Sequence, residues 1–355
     1  MLRVHRCMTA LTVILLSATS AKAKDWFPLL VDVSEPPFSA DAKVTQLEYT
    51  PLAKANEKYH VCVSFPHMKD AYWIGVDYGI IDQARQEGVK IQLLEAGGYT
   101  NLSKQLSQIE DCISAGAKAL IVGGISQDGV TNLVTSLKQK GIPTIDVING
   151  INAPVAAKAL VSWRVLGNIV GKYMASLHPA GSPTVKIAWL PGPAGAGWVE
   201  NSNTGFIEAL KGSAVEVVDT KYGDTGKEVQ AKLVEDMLQA HPDINYIVGT
   251  AVTAEAAIPI LRSRDLSDKI KVVADYYTPG IDQALRDGKI LAAPTDKPVI
   301  QGRLAIDEAV RVLEGKLEHP HVGPIIEMVN KDNVKALDMT TTLAPASFKP
   351  TFSVE

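Results

Sequence analysis

The sequence predicts an α/β protein of two doubly wound, parallel-sheet lobes with a ligand cleft and a hinge between them. Short apolar runs alternate with amphipathic stretches from about residue 58, and this alternation breaks near 150–163 and then starts again. Alternating strands and helices form parallel sheets that helices cover on both faces. Pockets in such sheets open at the C-terminal ends of the strands, so the cleft is the expected ligand site.

Each lobe has its own series of predicted strands. The first series is HVCVSF (60–65), KIQLL (90–94), ALIVG (119–123) and PTIDVI (143–148). The second series is VKIAWLPG (185–192), VEVVDT (215–220), YIVGT (246–250) and KVVADY (271–276). The predicted organisation is a signal peptide at 1–23, an N-terminal extension at 24–57, a first lobe at 58–160 plus about 278–315, and a second lobe at 161–277 plus about 316–345.

The N-terminus has the pattern of a secretory signal peptide. Arg3 and Arg6 precede an apolar stretch at 11–16, and the small-x-small pattern AKA ends the segment at 21–23. The apolar stretch is too short to span a bilayer, and no other long apolar run follows. We therefore expect a cleaved, secreted protein without membrane insertion. The proline-rich extension shows no clear periodicity and is expected to pack over one lobe.

Composition excludes some functions. The chain has 355 residues, of which 46% are apolar and 21% charged, so two domains can each bury a core. Its formal net charge of −4 argues against a nucleic-acid partner, because phosphate backbones require clustered Lys and Arg. The sequence contains no HExxH motif, no phosphate-binding loop and no G-x-S-x-G elbow. We therefore expect a binding protein rather than an enzyme, with no metal and no cofactor.

Cys62 in the first strand and Cys112 late in the second predicted helix remain after removal of Cys7 with the signal peptide. An oxidising compartment permits a bridge between them. Two buried thiols that lie too far apart to join are the alternative, and the sequence leaves both open.

Aromatic residues cluster where predicted strands end, although they make up only 6% of the chain. Tyr72 and Trp73 follow the first strand, Tyr99 follows the second, Trp163 lies at the break between the halves, and Tyr276 follows the last strand. Adjacent helical positions point in different directions, so core packing alone does not require both Tyr72 and Trp73. A single aromatic of this kind is more simply a core residue, but the set predicts a wall of the cleft.

The order of elements from Tyr59 to about Leu343 resembles the ribose- and galactose-type periplasmic binding proteins, whose fold is also that of the LacI effector domain. The stretches that carry the resemblance include GIPTIDVING, AHPDINYIVGT, KVVADYYTPGIDQALRDGKILAA and IQGRLAIDEAVRVLEGK. The resemblance implies a periplasmic location and two lobes that close on a ligand.

The positions that contact sugars in that family do not match. Ile148 and Asn149 stand where sugar binders carry Asp and Arg, Glu200 lies near the usual second Arg, and Ala251 lies near the usual Asn. Buried sugar hydroxyls need many polar partners, which this cleft lacks. No Arg is evident to clamp an amino-acid carboxylate.

Further stretches are similar to the periplasmic trimethylamine N-oxide-binding proteins that act with a sensor histidine kinase. They are FPHMKDAYWIGVDYG, LLEAGGYTNLSKQLSQIEDC, LPGPAGAG, GTAVTAEAA and TDKPVIQG. This resemblance implies trimethylamine N-oxide or a similar small methylamine as ligand, and the periplasmic domain of a sensor kinase as partner. The alternative is a substrate-binding protein of an ABC importer for a sugar or a methylated amine.

An aromatic cage suits such a ligand, because a methylated positive nitrogen is attracted to aromatic faces. The predicted cage walls are Tyr72, Trp73, Trp163 and Tyr276. The ligand oxygen needs a donor, which the Tyr99 hydroxyl can supply. Asp70 and Asp296 are predicted to complement the positive nitrogen or to orient a donor, although Asp70 could instead cap the helix that starts at Ala71. Trp198 and Tyr277 are not included in this predicted set.

Overall fold

The computed structural model describes residues 26–39 and 42–355. The predicted signal peptide lies outside the described residues. The strands are β1 (Leu29–Glu35), β2 (Lys43–Tyr49), β3 (His60–Phe65), β4 (Lys90–Glu95), β5 (Ala119–Val122), β6 (Thr144–Val147), β7 (Ala157–Ala159), β8 (Val185–Gly192), β9 (Val215–Tyr222), β10 (Tyr246–Gly249), β11 (Lys271–Ala274), β12 (Ala292–Thr295), β13 (His321–Pro324), β14 (Glu327–Asn330) and β15 (Ser353–Val354). The helices are α1 (Ala71–Glu87), α2 (Leu102–Ser114), α3 (Thr131–Gln139), α4 (Trp163–Leu177), α5 (Gly197–Leu210), α6 (Lys227–Ala240), α7 (Ala251–Ser263), α8 (Pro279–Arg286), α9 (Pro298–Leu313) and α10 (Met339–Thr342).

Two separate sheets confirm the predicted fold class. Within the described residues, the first lobe is built on a nine-stranded sheet in the order β15-β4-β3-β5-β6-β7-β13-β1-β2. The second lobe is built on a four-stranded sheet in the order β11-β10-β8-β9. The predicted runs at 60–65 and 185–192 are the strands β3 and β8, and the others match observed strands to within two residues.

The strand order reverses at the first strand of each series. The first strand of the first series, β3, pairs in parallel with both β4 and β5, and β8 pairs in parallel with both β9 and β10. The strand order therefore reverses beside β3 and β8. Parallel α/β sheets bind ligands at such reversal points, beyond the C-terminal ends of the strands.

The N-terminal extension is regular, contrary to the expectation of no periodicity. Its strand β1 pairs antiparallel with β13, and β2 pairs antiparallel with β1. Val31 and Val33 are buried on alternate positions, which is the period of a half-buried strand. The extension thus lengthens the large sheet of the first lobe at one edge.

The observed pairing differs from the predicted lobe boundaries. Helix α8, which the prediction assigned to the first lobe, packs against α7 of the second lobe. The strand His321–Pro324, which the prediction assigned to the second lobe, lies in the nine-stranded sheet between β7 and β1. Both differences are long-range pairings, which a local hydrophobic pattern does not specify.

The cysteines of β3 and α2 are joined. Cys62 and Cys112 form a disulfide with a Cα–Cα distance of 6.1 Å and 50 residues of separation. Both side chains are buried, so the bridge fastens α2 to the sheet from within. Within residues 26–39 and 42–355, no helix is long and apolar enough to cross a bilayer.

Candidate functional site

A cavity between the two lobes collects most of the predicted site residues. It comprises about 250 Å³ of space not occupied by protein atoms, part of which is open to solvent. The residues that line it are Asp70, Tyr72, Trp73, Tyr99, Ile148, Asn149, Trp163, Trp198, Thr225 and Tyr276. They follow the C-terminal ends of strands in both lobes, as the strand order predicts.

The start of helix α1 places two adjacent aromatic side chains at the cavity. Asp70 caps the helix, because its Oδ1 accepts a hydrogen bond of 2.9 Å from the backbone N–H of Tyr72. Tyr72 and Trp73 occupy the first turn with ring centroids 6.1 Å apart and planes at 82°. In the first turn both rings reach the cavity, and both are at least 95% buried.

Four aromatic rings continue the wall from one lobe to the other. Tyr72 contacts Tyr276 with centroids 5.2 Å apart, and Tyr276 contacts Trp198 at 6.1 Å. Trp198 in turn contacts Trp163 at 5.3 Å and Tyr99 at 6.3 Å. The interplanar angles lie between 50° and 81°, within the tilted and edge-to-face range that aromatic pairs favour. The rings therefore hold one another in place around the cavity.

Hydrogen bonds fix the polar edges of these rings. The indole N–H of Trp163 donates to the backbone oxygen of Ile148. The indole N–H of Trp198 and the side-chain amide of Asn149 each donate to the Tyr99 hydroxyl oxygen, at 3.1 Å. The oxygen accepts both bonds, and the hydroxyl itself donates to none of the described residues. Burial raises the pKa of Tyr99, so the hydroxyl keeps its hydrogen. It is a donor available to a ligand.

The backbone of Ile148 is strained where it meets the cavity. Its φ is 65°, in the left-handed region that a β-branched residue rarely adopts. Strain of this kind costs about 1–3 kcal/mol and persists only where surrounding contacts hold it. Here the conformation presents the Ile148 oxygen to the Trp163 indole, so the strain is coupled to the orientation of a cavity wall.

Three buried carboxyl groups lie in or behind the cavity wall. Asp70 lines the cavity and accepts a hydrogen bond from the Tyr276 hydroxyl, and burial raises its pKa to about 6. Asp275 is fully buried, and neither of its carboxyl oxygens has a partner among the described residues. Asp296 accepts from the Tyr72 hydroxyl at 2.5 Å. Burial raises the pKa of both these groups as well.

Asp296, predicted to complement the positive nitrogen or to orient a donor, is not among the residues that line the cavity. Besides the Tyr72 hydroxyl, its Oδ2 accepts a hydrogen bond of 2.8 Å from the Gln301 amide. Its position follows from β12, which ends at Thr295. These contacts suit the second of its two predicted roles.

Polar contacts close the cavity from one lobe to the other. His67, which follows β3, is fully buried, and its Nε2 lies 2.9 Å from the Thr225 hydroxyl and 3.5 Å from Asp224 of the second lobe. The Lys69 ammonium lies 3.7 Å from Asp224. Asp70 and Tyr276 add a further bond between the lobes. The structure therefore has its lobes in contact around the site.

Sequence reasoning missed Trp198, Asn149 and Thr225. Trp198 begins α5 shortly after β8 ends, so the rule that selected Tyr72 after β3 could also have found it. Asn149 stands at a position that contacts ligand in the resembled sugar binders, and that resemblance could have identified it. Thr225 is a small polar residue without a pattern that distinguishes it. Tyr277 stays outside the cavity: it is fully buried, and its hydroxyl donates to Asp282 at 2.8 Å.

Among the described residues, no group of three or more His, Cys, Asp or Glu side chains could hold a metal ion. The cavity wall consists of aromatic faces with the Ile148, Asn149 and Thr225 positions, the Asp70 carboxyl group, and donors at the Tyr99 hydroxyl and the Trp73 indole. Such a site can bind a small, partly apolar molecule with positive character and one acceptor atom.

Comparison with known proteins agrees with this architecture. A family model described as "Periplasmic binding protein domain" matches residues 61–317. The periplasmic protein TorT of Escherichia coli K12 is 34% identical over 305 residues, which cover 85% of this chain and 86% of TorT.

Two solved structures are similar over most of the chain. An ABC transporter solute binding protein from Bradyrhizobium sp. BTAi1 with bound Bis-Tris has 53% identity and a TM-score of 0.80, covering 93% of this chain and 99% of its own. The complex of the TorS sensor domain with TorT in the presence of TMAO has 35% identity and a TM-score of 0.74, covering 83% and 99%. Since the family model spans most of the chain and TorT is 34% identical to it, this chain belongs to the periplasmic binding protein family and is a relative of TorT.

Proposed function

We propose that this chain is a periplasmic ligand-sensing protein, exported by its N-terminal signal peptide, that binds trimethylamine N-oxide or a similar small methylamine and regulates a TorS-like sensor histidine kinase. The observation that carries the proposal is the ring of aromatic side chains from both lobes around one small cavity. Binding in such a cavity joins the lobes, so occupancy changes the surface that a partner meets.

The cage suits a methylated nitrogen. Aromatic faces attract a positive nitrogen by about 0.5–2 kcal/mol per contact, with the larger values at desolvated sites. Tyr72, Trp73, Trp163 and Tyr276, predicted from sequence, and Trp198 are each at least 95% buried at this cavity. A methyl group against any of these rings leaves water entirely.

Two donors in the cavity wall are candidates for the ligand oxygen: the Tyr99 hydroxyl and the Trp73 indole N–H, which donates to no described residue. The indole N–H groups of Trp163 and Trp198 are already engaged within the protein. The Tyr99 hydroxyl keeps a free hydrogen and lies in the cavity wall, which supports its role as donor to an N-oxide oxygen.

Cavity size also favours a small ligand. Pockets for drug-sized molecules enclose about 300–1,000 Å³. The space that a water-sized sphere can reach here is about 20 Å³, room for about one water molecule, so even a small methylamine requires the lobes to move apart. Most polar side-chain groups of the wall are already hydrogen-bonded within the protein, whereas a sugar presents several hydroxyls that each need a partner.

A substrate-binding role in an ABC importer is the second candidate. The specific observation in its favour is the 53% identical Bradyrhizobium protein, which is described as an ABC transporter solute binding protein. Its bound Bis-Tris is a tertiary amine that also carries hydroxyl groups. A cage for alkylated nitrogen suits both roles, so the partner rather than the cavity distinguishes them.

Two measurements test the proposal. Calorimetry against methylamines, N-oxides and pentoses should give heat with trimethylamine N-oxide and none with the pentoses; binding of a pentose alone would overturn the ligand assignment.

Titration with the periplasmic domain of a TorS-like kinase should change the affinity for trimethylamine N-oxide, and ligand should change the affinity for the kinase domain by the same factor. Independent binding, or no complex with any such domain, would favour the transport role.

A further inference from the structure

Acidic side chains, but no Lys or Arg side chain, lie in the described cavity wall or close behind it. Asp70 lies in the wall, and Asp275 and Asp296 are buried close behind it. None of the described residues that line the cavity is Lys or Arg. Isolated buried carboxylates are costly unless a cation or several hydrogen bonds compensate them. No lining residue therefore offers a positive charge to an ionised Asp70, and burial raises the pKa of all three carboxyl groups and so favours their protonated forms.

The direct hydrogen-bond partners of Asp70 carry no positive charge. Its carboxylate receives the Tyr72 backbone N–H and the Tyr276 hydroxyl, which are neutral donors. Tyr99, also neutral, faces it from the first lobe, and Asp275 and Glu255 of the second lobe add repulsion.

His67 also faces Asp70, but it has an acid of its own. Its Nε2 is held by Thr225 at 2.9 Å and lies 3.5 Å from Asp224. Asp224 also pairs with Lys69 at 3.7 Å. His67 and Lys69 therefore pair with Asp224 rather than with Asp70.

We propose that the site binds its ligand as a cation whose counter-ion is Asp70. A quaternary ammonium brings a permanent positive charge and pairs with the ionised carboxylate. A neutral N-oxide binds together with one proton, which lies between the ligand oxygen and the Asp70 carboxyl. This inference rests on the proposed function and specifies the charge of the ligand in the same cavity.

The two ligand types then differ in whether binding takes up or releases a proton. Burial raises the pKa of Asp70 to about 6, so the free protein carries this proton below that pH and lacks it above. Above about pH 6, an N-oxide must take up one proton on binding, and its affinity falls by up to about tenfold per pH unit. Below about pH 6, a quaternary ammonium must displace that proton, so its affinity falls by up to about tenfold per unit as the pH drops.

Calorimetry of the purified protein from about pH 5 to about pH 8 tests this inference with three probes. The affinity for trimethylamine N-oxide should fall only as the pH rises above the Asp70 pKa, and the affinity for tetramethylammonium should fall only as the pH drops below it. The third probe, tert-butanol, has the shape of the protonated N-oxide but no charge, and it should bind at least tenfold more weakly than trimethylamine N-oxide. Repeating the titrations in buffers of different ionisation enthalpy counts the proton directly.

Two variants serve as matched tests. Asp70→Asn keeps a good helix cap, because Asn and Asp are equivalent in that role. It should abolish the pH dependence of the affinity for both ligands. Asp77→Asn removes another buried carboxyl of α1, which accepts from the Thr351 backbone away from the cavity, and both slopes should persist.

The outcomes separate the inference from the proposed function. Tight trimethylamine N-oxide binding with no pH slope, or tert-butanol binding of equal strength, would overturn the cation inference and leave the proposed function standing. Slopes that survive in Asp70→Asn would overturn the role of that residue. No binding of any methylated amine or N-oxide at any pH would overturn both.

Discussion

Replacement of Tyr99 by Phe separates recognition of the ligand oxygen from recognition of its methyl groups. The substitution removes one hydroxyl and leaves the ring, so the contact between Tyr99 and Trp198 persists. It should weaken binding of trimethylamine N-oxide, whose oxygen loses one donor and keeps only the proton shared with Asp70, and leave tetramethylammonium nearly unaffected, because that cation has no acceptor atom.

The magnitude follows from the hydrogen bonds that the hydroxyl makes. A hydrogen bond to a charged group contributes about 1.5–3 kcal/mol, which corresponds to about a 10- to 150-fold loss of affinity for the N-oxide. The hydroxyl oxygen also accepts from Trp198 and Asn149, which remain buried in the variant. Each unpaired donor costs about 1–3 kcal/mol, although the Asn149 amide keeps a second bond of 2.8 Å to the Gly124 oxygen. We therefore also expect a lower melting temperature.

Calorimetry with both ligands measures the effect, and Tyr78→Phe is the control. Tyr78 lies on α1 against Phe348, outside the cavity, so this variant should bind both ligands as the parent does. If Tyr99→Phe binds the N-oxide as tightly as the parent, or loses affinity equally for both ligands, the donor assignment is wrong.

Three further predictions concern the cage and the stability of the lobes. Trp73→Ala or Trp163→Ala should weaken binding of trimethylamine N-oxide by more than about 1 kcal/mol in calorimetry, as expected for a buried aromatic contact, and unchanged affinity in both variants would remove the cage. Burial and the nearby Asp307 raise the pKa of Glu87 to about 9. The folded state therefore holds a proton that the unfolded chain releases near its ordinary pKa, so the free energy of unfolding should fall as the pH rises from about 4.5 to about 9. Urea unfolding of Glu87→Gln should show less of this fall, and an identical pH profile would contradict the assignment. Replacing Cys62 and Cys112 by Ala should cost about 2–5 kcal/mol of unfolding free energy, since the bridge closes a loop of 50 residues; an unchanged urea midpoint would show that the bridge adds nothing.

Part of the site was predictable because its signal is local. A short apolar run followed by a capping residue and a helical pattern locates a strand, its C-terminal end and the residues beyond it. Tyr72, Trp73, Tyr99 and Tyr276 follow such runs, and parallel strands bring their C-terminal ends to one edge. The helix cap at Asp70 could be predicted because it too depends on residues that are neighbours in the chain.

The sequence by itself determined the alternation of strands and helices, the two series that become two sheets, and the aromatic residues at the strand ends, because each depends on neighbours in the chain. Only the tertiary structure decided which groups face one another. It placed Asp296 behind Tyr72 and paired β13 with β1. It also used the hydrogen-bonding capacity of the Trp163 indole within the protein. These outcomes depend on contacts between residues far apart in the chain, where burial and the limited number of hydrogen-bonding partners decide which pairs form.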